Sequence, residues 1–529
     1  MLMLVLIAIP LVTAALIGVI RRFRPGFAYP WLFALVGCLS AWILAWLIRP
    51  ATPLNLPLAN WQPRIFLPIS PALLLDSKSW PFLIALTTLA LAILTTDVAR
   101  PATSRSAGYW VNLVAYLLLT AFSMLAVLSG NLLTVLLTWT LLFSSEFLLR
   151  LSLIKDGQPS RSLVILLAMR LIGLGCVVWA GMAAYAAGAS LSLTTVPPQI
   201  SAILLLAAGI NLGVIPMHPP LTQDDPKNTG MVAVFQLAPS APGLVLLARI
   251  GMAGAPSNLE TLFLLLAGWA LIYAGLAWAE ASSMQSGLAY WITGLASLAL
   301  ASAALNHSSA SLAWGAAALF AGGLFVLGTA RQRGLTALWL LSLLSITALP
   351  FSPTWAGAGL YALPFQPLLL IFLAGQGLFL LGTLRQVLRL PPPVTGAERW
   401  VGALYLAGLF LILGSYYLVA WFTRPGTGVI GQNTVGWIET GISLVAIGLA
   451  VLAMPFYMRY RGRLSGRLAG LKTSLEMAWL YRLSGAIFRS IEGSVAGASS
   501  AIEGRAGILW TLLGLALLVS VLASLGLGG

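Results

Sequence analysis

Ala207-Ala208-Gly209-Ile210-Asn211-Leu212-Gly213-Val214-Ile215-Pro216-Met217-His218-Pro219-Pro220 begins as an apolar helix and runs into three prolines within five residues. It closes the apolar run Ile200–Pro216, and residues 217–230 cannot continue it. Pro219 and Pro220 have no amide to donate, and their rings clash with the preceding turn. A second apolar run, starting near Ala337, is broken by Pro350 and Pro353. Irregular backbone at membrane depth survives only where protein or water solvates it. In transporters such breaks sit beside ion pathways, with freed backbone groups facing the cavity. Two separated breaks suggest two related half-bundles, although prolines used only for packing would read the same way.

Outward from these breaks the chain is uniformly apolar. Of its 529 residues 60% are hydrophobic and 8% charged, the composition of an integral membrane protein. About sixteen apolar segments follow one another from Met1–Ile20 to Gly507–Leu527, most of them near the ~20 residues a helix needs to cross hydrocarbon. With the N-terminus outside, 22 of the 28 Lys and Arg residues fall in inside loops, 5 in outside loops and one, Arg170, within a helix. The opposite orientation would reverse the positive-inside rule. Met1–Ile20 lacks a basic leader and is followed by Arg21, Arg22 and Arg24, so it reads as a first spanning helix rather than a cleaved signal. The expected fold is all-α and polytopic: about 16 transmembrane helices, two of them broken, with both termini outside.

The predicted organisation is a transmembrane bundle over 1–457, an inner-surface amphipathic lateral helix over 458–505 and a final transmembrane helix over 506–529. The lateral helix is read from Leu475, Trp479, Leu483, Ile487 and Ile491, spaced at steps of four among eight basic residues between Arg459 and Arg505. A lipid-hugging basic loop is the other reading of that excursion. The net charge of +15 is explained by basic residues flanking membrane helices and facing anionic lipid, so no nucleic-acid partner is expected. Cys38 and Cys176 lie within apolar runs without metal-like spacing. No phosphate-cradling glycine loop, metal set or nucleophile–base arrangement is visible. Cofactor and metal are therefore both expected to be absent from this chain.

At its breaks and along most of its length, the sequence resembles the antiporter-like membrane subunits of respiratory complex I, group 4 membrane-bound hydrogenases and multisubunit cation/proton antiporters. Pro216 and His218 match the family's break. Gly243–Arg249, Leu75-Asp76-Ser77, Asn131–Trp139, Leu288-Ala289-Tyr290, Ala318–Phe325 and Leu349-Pro350 match further elements in order, and the basic excursion before Glu503–Trp510 resembles the largest such subunit, which carries a lateral helix. The resemblance implies partner membrane subunits in a prokaryotic cytoplasmic membrane. It also implies a line of titratable groups through the centre, and most of these are missing. Thr140 stands at the family's glutamate, Asn211 and Gln236 at a lysine and a histidine, and Ala321 and Ala358 at two further lysines.

Asn and Ala have no proton to exchange, whereas a buried lysine can be tuned toward neutral pH. The remaining intramembrane charges are Glu146, near the inside end of the fifth helix, and Arg170 in the sixth. Their depths differ by only ~7 Å at 1.5 Å per residue. Glu146 is expected to pair with Arg170, with Arg150 as a second partner, either as a static ion pair or as a gate for proton entry. His218 would hold the break or titrate near neutral pH. Three functions fit: an antiporter-like subunit in an assembly coupling electron transfer elsewhere to proton or cation movement, a non-conducting scaffold paralogue, or a stand-alone secondary transporter or ion-coupled solute-uptake subunit.

Overall fold

The computed structural model describes residues 1–27, 29–49, 53–58, 69–98, 109–152, 161–216, 229–328, 335–362, 367–389, 399–423 and 437–475, together with Ala486. The chain divides into two compact units, Met1–Lys472 and Thr473–Gly529. Its helices are α1 (Leu2–Phe23), α2 (Pro30–Leu47), α3 (Ser79–Asp97), α4 (Tyr109–Val127), α5 (Leu132–Ser152), α6 (Arg161–Ala186), α7 (Pro198–Asn211) and α8 (Thr229–Leu237). They continue as α9 (Ala241–Ile250), α10 (Ser257–Glu280), α11 (Met284–Ala304), α12 (Ser308–Leu327), α13 (Leu335–Leu344), α14 (Pro367–Leu388), α15 (Arg399–Thr423) and α16 (Trp437–Leu475). One antiparallel ribbon pairs Leu54–Pro57 with Ala72–Leu75 ahead of α3.

Thirteen helical spans among the described residues are long and apolar enough to cross a membrane, with α8 and α9 together forming one of them. Adding the shorter α7 and α13 accounts for the first fifteen expected crossings. The fold is that of an all-α polytopic membrane protein. The expected sixteenth span and most of the lateral segment lie outside the described residues. α16 runs unbroken from Trp437 to Leu475, past position 457, with Pro455 inside it.

Both expected breaks are present. α7 ends at Asn211, and Gly213 then takes a positive φ of 71°, a conformation that glycine adopts without steric cost. α13 ends at Leu344, followed by positive φ at Ala348 and Phe351 and a 3-10 turn over Trp355–Tyr361. A third interruption lies inside the apolar span Thr229–Ile250, where a 3-10 turn over Ala238–Ser240 separates α8 from α9.

The centre is built on α3 and α12, buried from Ser79 to Asp97 and from Ala310 to Leu327. Small residues let α12 approach closely, as is common between membrane helices. A Cβ at Gly315 would come within 2.9 Å of Phe82, and one at Gly323 within 2.8 Å of Leu89, both on α3. α1, α2 and α16 keep most of their surface outside the bundle, which suits lipid or a neighbouring subunit.

Candidate functional site

A proline and a helix end each leave a backbone carbonyl without an intrahelical partner, and two buried arginines sit on them. A helix leaves its last four carbonyls unsatisfied. At the end of α7, turn amides take Ala208 O, Gly209 O and Ile210 O. Asn211 O instead accepts from Arg170 Nη1 at 2.6 Å. The negative end of the α7 dipole also favours a cation there. Pro239 has no amide to offer Phe235 four residues before it, and Phe235 O accepts from Arg150 Nη2 at 2.7 Å.

Glu146 joins the two arginines. Its Oε1 accepts from Arg150 Nη2 at 2.9 Å and Nε at 3.2 Å. Its Oε2 lies 3.5 Å from Arg170 Nη2. All three side chains are buried, Glu146 to 1% exposure. Arg150 lies over the Phe235 ring and Arg170 over the Phe143 ring, with centroid distances of 4.8 and 4.5 Å, so aromatic faces complete their surroundings. Removing one partner of such a buried pair typically costs about 3–5 kcal/mol. Beside the triad lies a cavity of about 60 Å³, lined by Glu146, Arg150, Arg170, Asn211, Gln236 and Tyr290 among others. A polar space of this size has room for water.

The expected Glu146–Arg170 pair is therefore formed, and Arg150 makes the shorter contact. Asn211 and Gln236 line the same cavity. Thr140 does not: it is exposed on the outer face of α5, and its hydroxyl donates to Leu136 O at 2.7 Å. Ala321 is buried on α12, and Ala358 is buried in the 3-10 turn of the second break. Pro216 follows the end of α7, and Pro350 and Pro353 flank the bend after α13. His218 lies outside the described residues.

The second break is served by neutral groups. Thr354 Oγ1 donates to Ser345 O at 2.9 Å and accepts from Ala348 N at 3.0 Å, and Tyr416 OH also donates to Ser345 O. These bonds hold the backbone in which Ala348 has φ 54° and Phe351 φ 66°. The core around α11 is aromatic. Trp291 meets Trp278, Phe325 and Phe379 at centroid distances of 5.5, 5.0 and 5.1 Å. Its indole donates to Ala318 O.

A further buried charge pair closes the opposite end of the first half. Arg249, at the end of α9, reaches both carboxylate oxygens of Asp76 at 3.3 and 3.4 Å and donates to Ser129 O at 2.5 Å. Asp76 also caps α3 reciprocally: its Oδ1 accepts from Ser79 N at 2.7 Å, while its own amide donates to Ser79 Oγ at 2.9 Å. Burial pushes the Asp76 carboxyl up, but Arg249 and the Ser79 donors outweigh it and hold the group below the usual carboxylate range. The sequence reading placed Asp76 and Arg249 in separate motifs and did not pair them. It also overlooked Pro239, whose missing amide was the available signal for the Phe235 carbonyl.

No protein-family profile matches the sequence, and no curated protein matches it. Solved structures do. A chain of the Mrp complex from a Dietzia species superposes on 100% of this chain with a TM-score of 0.72 and 13% identity. This chain spans 63% of the length of that chain. A chain of the membrane-bound sulfane sulfur reductase, an archaeal respiratory membrane complex, covers 97% of this chain and 99% of its own length, with a TM-score of 0.67 and 17% identity. A chain of respiratory complex I from Thermus thermophilus covers 78% of this chain and 97% of its own, with a TM-score of 0.57 and 18% identity. The chain thus has the fold of the matched chains of these complexes, in keeping with the all-α polytopic architecture expected from the sequence.

Proposed function

We propose that this chain is an antiporter-like membrane subunit of a multisubunit, complex I-like assembly, in which redox chemistry belongs to partner subunits and proton or cation movement is coupled to it. Within that assembly the chain serves as a structural member of the membrane arm rather than as a complete ion path. One observation carries the reading. The Glu146–Arg150–Arg170 triad is followed, among the described residues, by neutral Asn211, Ala321 and Ala358 and by the Trp291 aromatic core. Arginine does not release its proton in proteins, and alanine and asparagine have none to pass on.

A gating reading is favoured by one feature, the unequal grip on Glu146. The 3.5 Å contact to Arg170 is the looser one, so it can open while Arg150 keeps the carboxylate paired. Purification of the full chain in mild detergent is expected to bring other membrane subunits with it. In the reconstituted complex, Glu146→Gln should leave the proton-to-electron ratio unchanged. A fall in that ratio in a fully assembled complex would establish the gate instead. A solitary, active chain would overturn the assembly.

A further inference from the structure

The triad is not electrically balanced. Glu146 supplies one formal negative charge and Arg150 and Arg170 two positive ones, and among the described residues no other carboxylate lines the cavity beside them. A buried charge left unmatched in low dielectric is strongly disfavoured. Two donors and one acceptor are also left over at the same place. Arg170 Nε and both amide atoms of Asn211 have no hydrogen-bond partner, although Arg170 is 7% and Asn211 6% exposed. The Glu146 oxygens are already engaged by the guanidiniums. The backbone is shaped around the Asn211 amide as well: a Cβ at Gly173, one turn beyond Arg170 on α6, would lie 2.7 Å from either amide atom.

We infer that the cavity beside Arg170 and Asn211 binds one small monovalent anion of halide size. Such an ion accepts from Arg170 Nε and Asn211 Nδ2, and it cancels the surplus positive charge. Water would satisfy the donors but not the charge, and a cation would add to the imbalance. A divalent oxyanion would overshoot the single surplus positive charge, whereas a halide matches it. The inference stands whether or not protons cross this subunit.

The test uses the full chain purified in mild detergent in gluconate buffer. Radiolabelled chloride is expected to bind saturably, at one site per chain, and to be displaced by bromide but not by sulfate at equal ionic strength. Gly173→Ala, which crowds the amide, and Asn211→Leu, which removes it, should each weaken binding by about tenfold or more, since each loses a charge-assisted hydrogen bond. Anomalous scattering from bromide in crystals of the unaltered protein tests the same site without any variant. Density beside Arg170 Nε and Asn211 Nδ2 supports the inference. A cavity without anomalous signal overturns it, as does chloride binding that survives both substitutions or displacement by sulfate as readily as by bromide.

Discussion

Asp76 and Arg249 stand 173 positions apart, yet one guanidinium ties the corner before α3, the α4–α5 connection and the end of α9. Because the folded Asp76 carboxyl lies below the usual carboxylate range, its contribution is complete above the unfolded-state pKa and is lost as pH falls through the folded one. Thermal unfolding followed from about pH 7 to about pH 3 should therefore show a loss of stability below about pH 4. Asp76→Asn should remove that acid-dependent part and cost about 1–3 kcal/mol at neutral pH, the penalty for leaving the buried Arg249 without its carboxylate. An Asp76→Asn profile parallel to that of the unaltered chain would exclude the pair as the source. Pairings of this kind are illegible in one sequence because nothing local marks a partner so far along the chain. Glu146 and Arg170 were legible for a specific reason: both lie inside helices adjacent in order, and helical rise places them at nearly equal depth. Arg150, at i+4 from Glu146, is the neighbour that helix geometry alone provides.

Proline decides where the elements stop, and the rule reaches four residues back. Pro216 deprives Leu212 of its donor and crowds that carbonyl, and α7 ends one residue earlier, at Asn211. Pro350 does the same to Ile346, and α13 ends at Leu344. The sequence revealed that these helices break, while placing the breaks at the prolines themselves rather than at the carbonyls they disable. Applied to Pro239, the same rule marks Phe235, where a break inside an apolar run went unread because hydropathy is blind to the backbone. Phe235 O, disabled by Pro239, takes its donor from Arg150, and Asn211 O, at the end of α7, takes its own from Arg170. Arg150→Lys keeps the charge but loses the planar fork that serves Glu146 and Phe235 O together. Its expected cost is about 1–3 kcal/mol in denaturant or thermal unfolding. On a Pro239→Ala background, where residue 239 regains an amide for Phe235 O, that cost should shrink. Equal costs on both backgrounds would mean that the carbonyl contact contributes nothing.

At the scale of the whole molecule the two breaks are built alike and furnished differently. Arg170 meets the first, whereas Thr354 and Tyr416 meet the second, and among the described residues the core around α11 is filled by the Trp291 cluster rather than by a row of titratable groups. Trp278, Trp291 and Trp314 all sit in the core with their indoles bonded to Thr383, Ala318 O and Gly357 O, so the polar tips are consumed within the protein and none needs water. A hydrated path should therefore reach Gln236, beside the triad, and stop before Ala321 and Ala358. Cysteine labelling can locate that limit, because only a thiolate in contact with water reacts readily. With Cys38 and Cys176 replaced by alanine, Gln236→Cys is expected to react with a small charged thiol reagent about tenfold or more faster than Ala321→Cys or Ala358→Cys. Reagent supplied from the side of the basic loops should be the effective one, since positive loops mark the inner face and Glu146 lies toward the end of α5 nearest them. Comparable labelling at Ala321→Cys would show water passing the aromatic core, and a continuous path would then have to be sought through polar groups other than Asn211 and Gln236.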